Sequence, residues 1–234
     1  KLSRGITAVH GALVLLEDQT GKVEAIIDSV LVTKWKAAAD SVLGARLLAR
    51  PDSQRLLIVG AGTMATAMIE AYGAVFPDIE ITVWARNKSQ AEVLGVQVAD
   101  DLEAAVREAN IICCVTMATQ PIIKGEWLQA GQHLDLIGAY KPDMREVDDL
   151  VMQRAKIFVD SRATTIEHIG ELMTPIANGA ITADDVLADL FDLAAGKTGR
   201  TGVEDITLFK NGGGAHLDLL TGREILNAWR SIQP

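Results

Sequence analysis

Residues 56–68 read LLIVGAGTMATAM. An apolar run stops at a glycine, a second glycine follows, and small residues then open a stretch with helical character. Gly60-Ala61-Gly62-Thr63-Met64-Ala65 fits the pattern GxGxxG/A directly after a strand and at the start of a helix, the context in which that pattern is informative. Gly60 permits the tight turn, Gly62 lets backbone approach a pyrophosphate, and Ala65 lets helix pack closely on strand. The helix N-terminus then offers free N–H groups to the anion. The alternative is a tight turn that holds nothing.

Outward from this stretch, RLLIV, ITVW, VQV, IICCV, HLDLIG and KIFVD are predicted strands. Helices around Ala65–Val75 and Glu146–Arg154 lie between them. Strands alternating with helices predict a doubly wound, Rossmann-type α/β fold with a parallel sheet. Upstream, GALVLLED and KVEAIID flank QTG as two strands about a turn. SVLVTKWKAAADSVLGARLLAR then has helical spacing, with Asp28 or Ser29 as its cap and Pro51 as its stop. Downstream, a helix is predicted at Ala183–Ala195, then a Gly/Thr-rich linker (GKTGRTG), a strand at ITLF and an amphipathic end. The economical organisation is a discontinuous, smaller α+β domain of residues 1–50 and 201–234, into which a dinucleotide-binding domain of residues 51–200 is inserted. One crossover is short: NKSQAEVL leaves little room for a helix before GVQV, whereas a βαβ crossover takes a dozen or more residues. Either that helix is stunted or residues near Leu94–Gly95 are absent; the second is favoured.

Composition narrows the function classes. Of 234 residues, 49% are hydrophobic and 23% charged, as in an ordinary globular protein. The net charge of −9 argues against nucleic-acid or anionic-membrane binding, though not against a small basic pocket. No apolar run approaches the roughly 20 residues that span a bilayer. No signal peptide is visible, and because the chain starts at Lys1, an upstream segment is expected to be missing. Cys113 and Cys114 are neighbours in one strand, so they point to opposite faces and read as reduced core thiols. Without a CxxC or Cys/His cluster no metal site is expected, and a reducing, cytoplasmic setting fits.

The second strand of the nucleotide-binding pattern bears on the cofactor. An NAD site carries an acid roughly 20 residues past the glycines. There this chain has Ala85, with Arg86, Asn87 and Lys88 behind it. Arg86 and Lys88 can pair with a 2′-phosphate that an acid would repel. They can also be solvated loop cations. NADPH is therefore expected, with NADH possible. Val115, Thr116, Met117, Ala118 and Thr119 follow the C-terminal end of a strand, where backbone contacts a nicotinamide ribose. Gly138, Ala139 and Tyr140, in GAYKPD, stand at the next such end. Asp143, Glu146 and Asp148 look like acids at a helix start. His10 and His216 are candidates to touch substrate, although a lone histidine is more often structural; His133 and His168 give no functional signal.

With these pieces in view, the chain resembles the ornithine cyclodeaminase/mu-crystallin family over nearly its whole length. TAVHGALVLLED, TKWKAAADS, the LARPD junction, LLIVGAGTMA, VWARN, GEWLQAGQHLDLIGAYKPDMREVDD, IFVDSR and EDITLFKNGGG carry the likeness. The resemblance implies a homodimer, with the nicotinamide-binding domain inserted into a substrate-binding and dimerisation domain whose N-terminal part is usually longer. Two departures matter. Cyclodeaminases carry an acid/base aspartate where this chain, matched through Pro142, has Tyr140, and a phenol is a poor base near neutral pH. Many members bind the substrate carboxylate with an arginine where this chain has Lys36, which keeps the cation but loses the bidentate fork. The GAYKPDMRE form is similar to the branch that reduces cyclic imino acids, the Δ1-pyrroline-2-carboxylate (ketimine) reductases.

That branch implies reduction of Δ1-pyrroline-2-carboxylate or Δ1-piperideine-2-carboxylate to L-proline or L-pipecolate. Lys36 is the candidate for the carboxylate, or else a lysine on a helix surface. Tyr140 either orients substrate or water, or packs beside the cofactor. Lys1 stands near where the family places another substrate lysine. Lys210-Asn211-Gly212, with Gly213 and Gly214, replaces the family's FKSVG-like pattern and either closes backbone over the nicotinamide or starts a helix. The rival readings are an amino-acid dehydrogenase or opine-type imine reductase, ornithine cyclodeamination, and a crystallin-like protein that keeps cofactor without turnover.

Overall fold

The computed structural model describes residues 10–232, which divide into two compact units. Of these, residues 10–37 with 213–232 form one unit and residues 38–212 the other.

The larger unit is built on one eight-stranded sheet. Its elements run β3 (Arg55–Val59), α2 (Thr63–Val75), β4 (Glu80–Trp84), α3 (Lys88–Glu92), β5 (Gln97–Val98), α4 (Leu102–Glu108) and β6 (Ile111–Cys114). They continue with β7 (His133–Leu136), α5 (Asp149–Arg154), β8 (Lys156–Val159), α6 (Arg162–Thr165), α7 (Gly170–Ala177), β9 (Val186–Asp189), α8 (Leu190–Ala194) and β10 (Thr207–Lys210). The strand order is β5-β4-β3-β6-β7-β10-β8-β9, and every adjacent pair is parallel. The order reverses between β3 and β6, the switch point at which such sheets bind ligands outside their C-terminal edges. The central strands are apolar almost without interruption because both faces are covered; Leu57, Val59, Ile112, Cys114, Leu134 and Leu136 all belong to one core cluster.

Two expectations are corrected. Residues 183–195 are not one helix. A short 3₁₀ turn leads into β9, whose Val186 and Ala188 are buried at period two beside β8, and Asp189 then caps the five-residue α8. The 85–98 crossover holds the five-residue α3, Gly95 at φ +74° and a two-residue edge strand. Most consequentially, the TLFK strand sits in the middle of the sheet, as β10 between β7 and β8.

The compact units thus divide at 37/38 and 212/213, whereas the sequence suggested a division at 50/51 and 200/201. The helix α1 (Ser29–Leu48) starts in one unit and ends in the other. Its last turns belong with the sheet because Leu48 packs in a cluster with Phe158 and Phe209. A Cβ at Gly44 would stand 2.6 Å from the Phe209 ring, so only glycine permits that approach. The GKTGRTG stretch is a strapped loop: the Arg200 guanidinium donates to the carbonyls of Leu48, Asp205 and Gln132 and to the Thr207 hydroxyl.

The smaller unit holds the hairpin of β1 (Ala12–Leu16) and β2 (Val23–Asp28), the first turns of α1, and α9 (Ala215–Ser231). Asp28 accepts the Val30 N–H at 2.7 Å and so starts α1. Leu15, Ile27 and Val32 form its core, with Leu13, Ala25, Ile225 and Leu226 against them. The opposite hairpin face leaves Val14, Leu16 and Ile26 exposed, Ile26 to 70%.

Candidate active site

The glycine turn is built as its sequence required. Gly60 has φ +117°, a backbone state that L side chains rarely adopt, and its N–H donates to Trp84 O at the end of β4. A Cβ there would lie 3.0 Å from Val115 O, so the turn also packs against the segment after β6. Gly62 is the N-cap residue of α2, with no side chain capping the helix and no acid in its first turn. A Cβ on Gly62 would meet nothing within 4 Å. An uncapped helix start, no nearby acid in that turn and an open approach fit a pyrophosphate. Thr63 and Met64 open the helix, and Ala65 is fully buried where it meets the sheet.

On the β4 side, Ala85 is half-buried, and Arg86, Asn87 and Lys88 are exposed. The structure corrects the expectation that no acid opposes the two cations. Asp100, just beyond β5, pairs with Lys88 at 2.5 Å. That pair raises the Lys88 pKa through its hydrogen bond and charge. Arg86 is left as the cation at the end of β4.

On the other side of the switch point, the segments after β6 and β7 meet backbone to backbone. A Cβ on Gly138 would overlap Thr116 O, Thr116 N and a Glu146 carboxylate oxygen, so this position must be glycine. Ala139 is buried and Tyr140 is 48% exposed, with the Lys141 ammonium 5.3 Å from its ring centroid. Met117 and Thr119 are exposed, whereas Val115, Thr116 and Ala118 are half-buried.

Glu146 is the residue that sequence reasoning misplaced. It is no helix-start acid; Asp148 caps α5, accepting the Val151 N–H at 2.9 Å. The Glu146 carboxylate is fully buried and accepts on both oxygens. Thr116 N and Oγ1 each donate to Oε1 at 2.8 Å, while Gly138 N and Ala139 N donate to Oε2 at 2.7 and 3.3 Å. Its own N–H donates to Glu171 Oε2 at 2.8 Å, and its carbonyl accepts from Ile122 N and Ile123 N.

Burial pushes the Glu146 carboxyl up and the Lys210 ammonium pulls it down. Glu171 is pushed up to about 7 by burial and by the Glu146 charge. Backbone N–H groups donate to oxygens of both carboxylates and favour the charged forms, whereas burial, and for Glu171 the Glu146 charge, favours protonation. In sequence, Glu146 is one polar residue among several in DMREVDD, and only burial separates it from Asp143 and Asp148.

Lys210 is also buried. Its ammonium donates to Leu136 O and Asn211 O, each at 2.8 Å, and faces Glu146, Glu171, Asp160 and Asp135. Burial lowers its pKa and those carboxylates raise it. Asn211 turns its amide toward Ser41, and the Gly212 N–H donates to Asp160 at 2.9 Å. The side chains of Lys210 and Asn211 thus point into the unit, which leaves only backbone there to face a ligand. Gly214 stands at the N-cap of α9, so the glycine run does start a helix.

Lys36 lies in the smaller unit and is not a free cation: its ammonium pairs with Asp218 of α9 at 2.6 Å. His10 is exposed. Lys1 lies outside the described residues. Cys113 and Cys114 are free and buried, and burial pushes both thiols well above their ordinary range.

The ornithine cyclodeaminase/mu-crystallin family model matches residues 1–233. The chain belongs to that family. It is 56% identical over 229 residues to a Δ1-pyrroline-2-carboxylate reductase of Paracoccus denitrificans, covering 93% of this chain and 72% of the relative. Its fold superimposes with a TM-score of 0.87 on a Thermococcus litoralis Δ1-pyrroline-2-carboxylate reductase solved with NADH and L-proline, at 28% identity over 95% of this chain and 72% of the other. An archaeal alanine dehydrogenase dimer with bound NAD gives 0.91 at 28% identity, covering 98% and 74%. Family and neighbours support a nicotinamide cofactor and a small imino- or amino-acid substrate. Among the described residues, no helix is long and apolar enough to cross a membrane.

Proposed function

We propose that this protein reduces the C=N bond of a cyclic imino acid, Δ1-pyrroline-2-carboxylate or its six-membered homologue, to L-proline or L-pipecolate. The observation that carries the reading is Tyr140: a phenol, and no carboxylate, follows β7 beside a glycine turn shaped for a dinucleotide. When bound, the reduced nicotinamide supplies the hydride, and the imine nitrogen takes a proton. The turn at 60–65 holds the pyrophosphate. Arg86 holds the 2′-phosphate that makes NADPH the preferred form, and Lys88, shared with Asp100, adds less. Lys36 binds the substrate carboxylate, which competes with Asp218 for the ammonium. Tyr140 orients the substrate or a water. A second copy of the chain covers the exposed hairpin face, giving a homodimer.

Oxidation of NADPH, followed over five- and six-membered cyclic imino acids, tests the reading. Turnover with a cyclic imine and none with ornithine is expected. Ornithine-dependent ammonia release without imine reduction overturns it, and ammonia-dependent amination of a linear keto acid would place the chain with the amino-acid dehydrogenases. Lys36→Ala is expected to raise KM about tenfold or more with little change in kcat, because the carboxylate is bound alike in ground and transition states.

A further inference from the structure

Glu146 takes no part in the roles above, yet both oxygens of its carboxylate are spent on the segments beside the candidate cofactor site. One carboxylate oxygen holds the Thr116 peptide and hydroxyl after β6; the other holds the Gly138 and Ala139 peptides after β7. Glu171 fixes the Glu146 and Val147 peptides from behind, with N–H···O distances of 2.8 and 3.1 Å. Charge-assisted bonds of this kind are about twice as strong as neutral ones.

The placement of these segments follows from the sheet. A dinucleotide crosses the switch point with its pyrophosphate at the helix start. The Ala85–Lys88 end of β4 lies on one side of β3 and serves the adenosine half. The ends of β6 and β7 lie on the other side and are left for the nicotinamide half.

We infer that Glu146 is a positioning residue for hydride transfer, a buried carboxylate clasp that sets the spacing of the Thr116 and Gly138–Ala139 backbones on which the nicotinamide half depends. The inference rests on the cofactor reading above. Four donors on two oxygens leave no room for an amide. Whichever way a glutamine is turned, its NH₂ faces N–H donors of one segment, and that segment must move.

The test is Glu146→Gln, compared with the unmodified protein in two kinds of measurement. In turnover, kcat for cyclic-imine reduction is expected to fall at least about tenfold while KM for the imine changes less than about threefold, the pattern of an interaction expressed in the transition state. In binding, the affinity for NADPH is expected to weaken about tenfold and the emission of its bound reduced nicotinamide to change. Affinity for 2′-phospho-ADP-ribose, which lacks the nicotinamide, is expected to stay within about twofold.

Unchanged kcat and unchanged NADPH binding in a folded variant overturn the inference. So does an equal loss for both ligands, which is what a merely structural role produces. If Glu146→Gln does not fold, Thr116→Val removes the hydroxyl bond to Oε1 and the long one that the hydroxyl accepts from Ala118 N at 3.4 Å. It is expected to weaken NADPH about threefold and to spare the truncated ligand; no difference from the unmodified protein overturns the inference. If the unmodified protein binds NADPH but reduces no cyclic imine, the proposed substrate is wrong, and the ratio of the two affinities still decides the role of Glu146.

Discussion

The β1–β2 hairpin and the strand β10 are both short apolar segments outside the regular alternation of strands and helices in sequence, and they meet opposite fates. β10 is buried along its whole length, flanked by β7 and β8, and its last residue sends an ammonium into a nest of carboxylates. Among the described residues, the hairpin strands pair with each other alone; the hairpin buries Leu15 and Ile27 on one side and leaves Val14, Leu16 and Ile26 exposed on the other. The larger unit thus pairs its strands internally and gathers buried charges among them. Among the described residues, the smaller has one small core and an exposed apolar hairpin face, the condition of a surface made for contact. The difference teaches that buried strands and charges lie where the cofactor reading places chemistry, and exposed apolar surface where the dimer reading places assembly.

The contrast is sharpest at Gly138. Gly138→Ala sets a methyl group against the Thr116 backbone and Glu146, none of which can yield. A loss of about 3 kcal/mol, the top of the ordinary overpacking range, is expected together with loss of NADPH binding. Thermal unfolding and cofactor titration read both, and a variant with unchanged melting temperature would show the junction to be soft.

A charge on the hairpin should do the reverse, sparing the sheet and harming assembly. Ile26→Glu is expected to weaken dimerisation by about 2 kcal/mol, the size of an interface hot spot, with NADPH affinity intact. Light scattering across concentration reads the change; an unmodified protein that is monomeric at micromolar concentration would refute the dimer.

The buried acids set a third test. Asp40 is pushed up to about 8 by burial and by the charges of Asp160 and Asp135, against the pull of Lys210. Glu171 is pushed up to about 7. A carboxyl whose folded pKa exceeds its unfolded value binds more protons when folded, so stability falls as pH rises through the folded value. His133 is depressed to about 3 by burial and by Arg200, so its contribution is lost only as pH falls below its ordinary 6.5 and does not interfere above it. Unfolding free energy is therefore expected to drop on the order of 1 kcal/mol between pH 7 and 8. Denaturant melts across that range that showed a rise would mean that the cluster is neutralised in another way.

The smallest effect belongs at Gly73, inside α2, where an added Cβ meets nothing within 4 Å. Gly73→Ala is expected to stabilise the larger unit by about 0.5–1 kcal/mol through helix propensity alone, without altering cofactor affinity. A destabilised variant would mean that this helix face is covered.

Much of this architecture is legible in one dimension. The strands β3, β4, β6, β7 and β8 are apolar runs bounded by polar turns, and the glycine turn declares itself because a strand precedes it and a helix follows. What failed did so for identifiable reasons. The residues 183–195 carry enough Leu, Ala and Asp for a helix, and only pairing with β8 makes four of them a strand. Asp100 escaped notice beside Lys88 because the short crossover brings together residues that no periodic pattern links. Glu146 and Asp148 are both acids shortly before a helix, and burial alone makes one a clasp and the other a cap.

The sequence by itself determined the strands β3, β4, β6, β7 and β8, the glycine turn and the absence of a carboxylate at position 140. These depend on local periodicity, on backbone states that only glycine adopts freely, and on which side chain occupies one position. The tertiary structure decided where β10 inserts, which unit the end of α1 joins, and which charges are buried together. Those outcomes depend on pairings between segments distant in the chain, and on the removal of ionised groups from water, which no local pattern of residues records.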